Sequence, residues 1–134
     1  LHSCMHMMCA IIPAPVTGGS IRDEGTARLD FDLPEPPDKA ALDAQLNELT
    51  SSDHAMKLSW ISDDEMREQA DLVRTMSVQP PMGSGRVRLV EFDHVDLQPC
   101  GGTHVANTRE IGQVTIQSIK KKGRLNRRIT VALV

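Results

Sequence analysis

The sequence predicts an α+β domain in which helices pack on a mostly antiparallel sheet. Two observations support this fold class. Short stretches of alternating apolar and polar residues, typical of strands, recur along the chain, and apolar residues at helical spacing occupy only a few segments between them. The chain has 134 residues, 40% of them hydrophobic and 25% charged, which suits one globular domain with a real core. We therefore treat residues 1–134 as a single domain.

The first half of the chain is predicted to form a helix, a hairpin and a second helix. The first helix runs from about His2 to Ile12 and stops at the prolines that follow. GSIRDE and TARLDFDL alternate as strands on either side of Glu24-Gly25, which is a typical turn. Asp38 can cap the second helix, whose apolar residues recur at helical spacing: Leu42, Leu46 and Leu49.

The second half is predicted to consist mainly of strands. Met56 to Ile61 reads as a strand, and a capping box at Ser62 to Glu65 opens a short helix. Ser77 to Gly85 is rich in proline and glycine and is predicted to be a loop. Three strands follow, the last two joined by a turn around Gly123: Arg86 to Phe92, Val114 to Lys121, and Arg127 to Val134.

Charge is unevenly distributed along the chain. The formal net charge is -3, yet six cationic residues and no acidic ones lie between Lys120 and Arg128. This pattern argues against a general nucleic-acid coat and indicates one local edge that could bind phosphates.

Cysteine content and hydropathy indicate the compartment. Three cysteines are too few for a secreted disulfide framework and favour a reducing environment. No apolar run approaches the ~20 residues that span a bilayer, and the first residues lack the features of a signal peptide. We expect a cytoplasmic protein without a membrane partner, and a segment missing before Leu1. The sequence does not predict an oligomeric state.

Two pairs of residues have the spacing of metal ligands. His2 and His6 are four residues apart on a predicted helix and share one face, while Cys100 and His104 repeat this spacing across a Gly-Gly step. Three imidazoles and a thiolate suit Zn²⁺. Either pair alone has an ordinary structural explanation, but together they favour a metal site. A zinc finger is excluded because no CxxC partner exists, and Ser3 stands where an HExxH protease needs glutamate.

The chain contains, in order, the segments HSCMHMM, RLDFD, CGGTHVANTREIG and KKKGRLNRRI. In this order and spacing they resemble the editing domain of alanyl-tRNA synthetase. They resemble more closely the free-standing alanyl-tRNA editing proteins of the AlaX type. The threonyl-tRNA synthetase editing domain shares the metal pattern, but CGGTH favours the alanyl branch. The resemblance implies that His2, His6, Cys100 and His104 bind Zn²⁺. It also implies hydrolysis of the ester that joins serine, or sometimes glycine, to the terminal ribose of tRNA(Ala).

Further roles are expected around the metal site and at the basic run, where an ordinary solvated hairpin tip is the alternative to phosphate binding. The partner would be the acceptor end of aminoacylated tRNA(Ala). Glu110 would orient a water molecule or, equally well, stabilise its loop. The chain departs from the family pattern at Met5, Arg109 and Thr17, and the last makes serine recognition less certain. Candidate substrate-binding residues are Thr17, Gly101, Gly102 and Thr103, and candidate tRNA-binding residues are Lys121, Lys122, Arg124 and Arg127.

Two alternatives remain open at this stage. In the first alternative the zinc is structural, because four protein ligands complete a tetrahedron as structural sites do. The chain would then be a tRNA-binding module. The chain could also be a fragment of an alanyl-tRNA synthetase. Cys9 shares the helical face of His2 and would either support the metal site or be a buried structural thiol.

Overall fold

The computed structural model describes residues 1–69, 71 and 85–134. Within these residues the chain forms three α-helices, seven strands and a short 3₁₀ helix over Thr108–Glu110. The helices are α1 (His2–Ile11), α2 (Lys39–Ser51) and α3 (Asp63–Glu68). The strands are β1 (Val16–Arg22), β2 (Thr26–Asp32), β3 (Met56–Ser62), β4 (Arg86–Phe92), β5 (Asp96–Pro99), β6 (Val114–Lys122) and β7 (Asn126–Leu133).

The strands form two antiparallel sheets. One has four strands in the order β1-β2-β7-β6, and the other has three in the order β3-β4-β5. The α+β class is confirmed, although the strands form two sheets where the sequence predicted one. Two of the hairpin turns contain a glycine in the left-handed region, Gly25 at φ 80° and Gly123 at φ 73°, where other residues are strained.

Local capping signals explain where two helices begin. Asp38 accepts a hydrogen bond from the Ala41 amide at 3.0 Å, so the second helix starts where the sequence predicted. Ser62 and Glu65 form both bonds of the capping box at the start of α3. Strand β5 and the 3₁₀ helix were not predicted, because segments of four and three residues are too short for periodicity to show. The predicted loop from Ser77 lies outside the described residues, apart from its last residue, Gly85.

Helix α1 lies between the two sheets. It packs against α2, against β2 of the four-stranded sheet and against β5 of the three-stranded sheet. Its Met7 and Met8 are fully buried beside Phe31, Phe92 and Ile129, which come from both sheets. Each such side chain contributes roughly 1.5–3 kcal/mol by burial. This packing fixes α1 and so determines where its two histidines lie. No helix in the described part of the chain is long and apolar enough to cross a membrane.

Candidate metal centre

Two histidines of α1 meet a cysteine and a histidine that follow β5. One possible ligand atom from each of His2, His6, Cys100 and His104 lies within 4.8 Å of the other three. The Cys100 Sγ atom is 3.5 Å from Nε2 of His2 and 3.5 Å from Nε2 of His104. Zinc bonds of ~2.0–2.1 Å to nitrogen and ~2.3 Å to sulfur, at a tetrahedral angle, separate the two ligands by about 3.6 Å. The sulfur and both imidazoles therefore have the spacing that one zinc ion needs.

The Cys100 side chain has the protonation state of a metal ligand. Burial alone would raise the pKa of its thiol, but hydrogen bonds from His104, His2 and His6 outweigh burial and lower the pKa to about 3. The thiolate is the form that binds metal ions. By contrast, burial raises the pKa of the Cys4 thiol to about 12, so that cysteine stays protonated in the core.

Two imidazoles of the cluster, His6 and His104, have pKa values shifted in opposite directions. Burial lowers the pKa of His6, but Asp96 and the Cys100 thiolate act in the opposite direction and raise it above its usual value. Burial and the charges of the other two histidines lower the pKa of His104, although Cys100 opposes them. Three imidazoles and one thiolate form a donor set that fits Zn²⁺.

The loop between Cys100 and His104 is shaped by a glycine and an arginine. A Cβ atom on Gly102 would lie 2.3 Å from Cε1 of His2, so only glycine leaves room for that imidazole ring. The Gly102 amide donates to Cys100 Sγ at 3.4 Å. Arg88 of β4 donates to the carbonyl oxygens of both Cys100 and Gly102, and thereby holds the loop against the sheet.

The histidines His104 and His6 also have contacts on Nδ1. Nδ1 of His104 is 2.9 Å from Ser3 Oγ, which in turn accepts a hydrogen bond from the Val105 amide at 3.1 Å. Nδ1 of His6 is 3.4 Å from Asp96 Oδ2, an ion-pair distance at which no hydrogen bond is completed. These contacts leave Nε2 of each ring for the cluster.

A cavity of about 480 Å³ opens beside the cluster. His2, His6 and Cys100 form one part of its wall, together with Cys9. Strand β1 contributes Gly18, Gly19, Ser20 and Ile21, and β5 contributes Gln98. Small-molecule sites usually have volumes of about 300–1,000 Å³, so the cavity has the size to hold a small substrate group next to three of the four possible ligands.

Comparison with known proteins agrees with this architecture. A family model described as the threonyl and alanyl tRNA synthetase second additional domain matches residues 87–130. The chain is 30% identical to "Alanyl-tRNA editing protein AlaX-M" of Methanosarcina mazei, over 100% of this chain and 55% of that protein. It is 29% identical to the protein of the same name from Saccharolobus solfataricus, over 96% of this chain and 56% of that protein.

The chain is a homologue of the alanyl-tRNA editing proteins. It spans about half the length of these curated relatives. It is also 32% identical to "Alanine--tRNA ligase" of Mycobacterium tuberculosis, over 86% of this chain but only 13% of the ligase. The resemblance to both groups expected from CGGTH and the upstream histidine pair is therefore confirmed.

The candidate substrate-binding residues Thr17, Gly101, Gly102 and Thr103 do not line the cavity beside the cluster. Thr17 lies at the irregularity of β1 between Val16 and Gly18, and its hydroxyl donates to Asn126 Oδ1 at 3.2 Å. Gly101 and Thr103 are exposed in the loop, and Thr103 faces a separate cavity together with His104. Glu110 accepts a hydrogen bond from the Ala106 amide at 3.1 Å, a contact that holds the loop.

The candidate tRNA-binding residues divide into two groups. Lys121, Lys122 and Arg124 are exposed at the tip of the hairpin between β6 and β7. Arg127 is half-buried and donates to the Pro34 carbonyl oxygen at 2.5 Å. The neighbouring Arg128 donates two hydrogen bonds to Asp30.

Sequence reasoning missed the residues that surround the four possible ligands. In the sequence, Ser3 stands out only because it occupies the position where an HExxH protease has glutamate. Asp96 and Gln98 are both buried on β5, whose alternating pattern was too short to recognise. Arg88 was not distinguishable from any other charged strand residue, because its role depends on a loop twelve residues away.

Proposed function

We propose that residues 1–134 form an editing domain that hydrolyses the ester bond of tRNA(Ala) mischarged with serine or glycine. His2, His6, Cys100 and His104 hold Zn²⁺ in this proposal. The observation that carries it is the placement of the four possible ligands beside a cavity that shares three of them. The names of the homologues support alanyl-tRNA editing as the process, although each relative extends well beyond the part that this chain covers.

The chain's own residues bind and orient the aminoacyl end. Zn²⁺, when bound, supplies Lewis-acid chemistry that polarises a carbonyl group and activates water at neutral pH. An ester bound in the cavity would lie beside the cluster, and the largely apolar wall would shield the reacting bond from bulk water. Ser20 and Gln98 lie in the wall and can hydrogen-bond a substrate hydroxyl. A site that bonds such a hydroxyl can reject the analogue lacking it by as much as ~10⁴–10⁵.

The tip of the β6–β7 hairpin binds the acceptor-end phosphates. Lys121, Lys122 and Arg124 are exposed there, so their charges are free of the sheet packing that engages Arg127. Phosphate contacts of this kind make binding sensitive to salt. The aminoacylated acceptor end of tRNA(Ala) is therefore the proposed partner, and the cytoplasm, where aminoacyl-tRNAs are used, is the proposed location.

A second function follows from the donor set. Four protein ligands complete a tetrahedron, as in structural zinc sites, and the chain would then bind tRNA without hydrolysing the ester. A catalytic site instead needs a coordination position that substrate or water can reach. The cavity beside the cluster favours the catalytic alternative.

Deacylation assays separate the two functions. Ser-tRNA(Ala), Gly-tRNA(Ala) and Ala-tRNA(Ala) are incubated with the zinc-loaded protein, with the chelated protein and with His104→Ala. We expect rapid loss of serine or glycine but not of alanine, abolished by chelation and lowered at least ~100-fold by His104→Ala. His94→Asn is the matched control, because His94 is exposed at φ 62°, a conformation that asparagine tolerates. Binding of tRNA without release of any amino acid would refute the enzyme and support the structural-zinc module.

A further inference from the structure

The outer contacts of the candidate metal centre run crosswise between its two halves. We define the helix half as His2, Ser3 and His6 of α1, and the loop half as Asp96, Cys100 and His104. Ser3 of the helix half contacts His104 of the loop half, and Asp96 of the loop half contacts His6 of the helix half. Each half therefore supplies two of the four possible ligands, and also one residue that contacts a ligand of the other half.

Ser3 has the chemistry to fix the ring of His104. Its side chain is buried, at 2% exposure, and its Oγ atom already accepts from the Val105 amide. A hydroxyl oxygen has two lone pairs, so Ser3 Oγ can accept a second hydrogen bond from Nδ1–H of His104 at 2.9 Å. This contact orients the ring so that Nε2 faces Cys100 Sγ, 3.5 Å away.

Asp96 has the same relation to His6. The residue is buried, at 6% exposure, and its Oδ2 atom accepts from Gln98 Nε2 at 2.7 Å. A carboxylate oxygen can accept the hydrogen bond of an imidazole N–H that faces it. Nδ1 of His6 is buried and lies 3.4 Å from Oδ2, within reach of this acceptor.

We propose that Ser3 and Asp96 are positioning residues that hold the rings of His104 and His6 with Nε2 towards the cluster, so that both imidazoles are oriented to bind a metal ion. This proposal rests on the metal site of the proposed function. Histidine ligands generally donate their second nitrogen to such partners, and losing one typically weakens metal binding by ~10–100-fold. The crosswise arrangement adds that His6 of the helix half and His104 of the loop half each depend on the opposite half for their orientation.

Zinc affinity tests the proposal separately from deacylation. Metal-free protein is titrated with Zn²⁺ against a chromophoric chelator. We expect Ser3→Ala and Asp96→Ala each to weaken binding by ~10–100-fold. Asp96→Asn keeps an oxygen acceptor at the same place and should restore most of the affinity. Thr108→Val is the control, because it removes a fully buried hydroxyl that bonds the Ser52 carbonyl and leaves the cluster untouched.

The Nδ1 protons of the two rings provide a second measurement. Long-range ¹H–¹⁵N spectra of the zinc-loaded protein should show slowly exchanging Nδ1–H protons on both His6 and His104. Ser3→Ala should speed the exchange on His104 alone, and Asp96→Ala that on His6 alone, whereas Thr108→Val should change neither. Unchanged exchange in folded variants would overturn the proposal, as would zinc affinities equal to that of Thr108→Val. Wild-type protein that binds zinc and shows both protons but releases no amino acid would refute the proposed hydrolysis and leave the positioning intact.

Discussion

Replacing Gly102 with alanine should displace His2 from the candidate metal centre. The added Cβ would lie 2.3 Å from Cε1 and 2.6 Å from Nδ1 of the His2 ring. Real Cβ atoms essentially never lie closer than 3.0 Å to a non-bonded atom, so the ring or the loop must move by at least about 0.7 Å, and by about 1.2 Å to reach an ordinary contact. Zinc ligands keep their bond lengths to within about 0.2 Å, and a displacement of this size therefore breaks the coordination of His2.

The magnitude of the effect follows from the lost ligand. Loss of an outer-shell contact alone typically weakens metal binding by ~10–100-fold, so loss of His2 should weaken zinc binding by more than ~100-fold. The crowding itself should lower the free energy of unfolding of the metal-free protein by only about 1–3 kcal/mol. The variant should therefore fold and yet bind zinc poorly.

Chelator competition and thermal unfolding of the metal-free protein measure the two effects. Gly18→Ala is the matched control in the wall of the same cavity, since its Cβ would meet Asp30 Oδ2 at an ordinary 3.6 Å. The reasoning is refuted if folded Gly102→Ala binds zinc as tightly as Gly18→Ala does. Such a result would mean that the ring of His2 has room to move without leaving the site.

Two further predictions concern acid stability and tRNA binding. Burial alone would raise the pKa of Asp30, but Arg128 and a second arginine outweigh it and lower the pKa below its usual value. Because the folded-state pKa is lowered, this contribution to stability is complete above the unfolded value of about 3.9 and is lost as the pH falls through the folded value. Asp30→Asn should therefore lower the free energy of unfolding in urea by about 1–3 kcal/mol at pH 7 and by progressively less below about pH 4. Replacing Lys121 and Lys122 with glutamine should weaken tRNA binding and reduce the slope of log affinity against log salt concentration by about 1–2. The control Lys57→Gln on β3 should change neither quantity. An unchanged slope in the double variant would place the phosphate contacts elsewhere.

The regular elements were predictable because their signals are local. Strand β4 was predicted with its observed bounds from alternation alone, and Asp38 and the Ser62 capping box marked two helix starts correctly. Alternation cannot show which strands pair across long separations. The division into two sheets depends on the pairing of β2 with β7, whose central partners Leu29 and Ile129 are a hundred residues apart.

The candidate site shows the same division between local and long-range information. The spacing of His2 and His6, and of Cys100 and His104, is a property of each short segment and could be read directly. The contact between Ser3 and His104 could not be predicted, because it exists only once the loop that follows β5 lies beside α1. The Thr17 hydroxyl similarly looked free in the sequence, but the sheet brings Asn126 within 3.2 Å of it.

The position of α1 explains why two weak motifs become one site. A helix buried between two sheets cannot turn its histidines to solvent without exposing Met7 and Met8, which are fully buried. The packing of α1 against β5 then sets the distance between His2 and Cys100, two residues with no local reason to meet. Burial of the methionines therefore helps to hold the donor set in place, and the cavity lined by β1 leaves three of the four possible ligands facing open space.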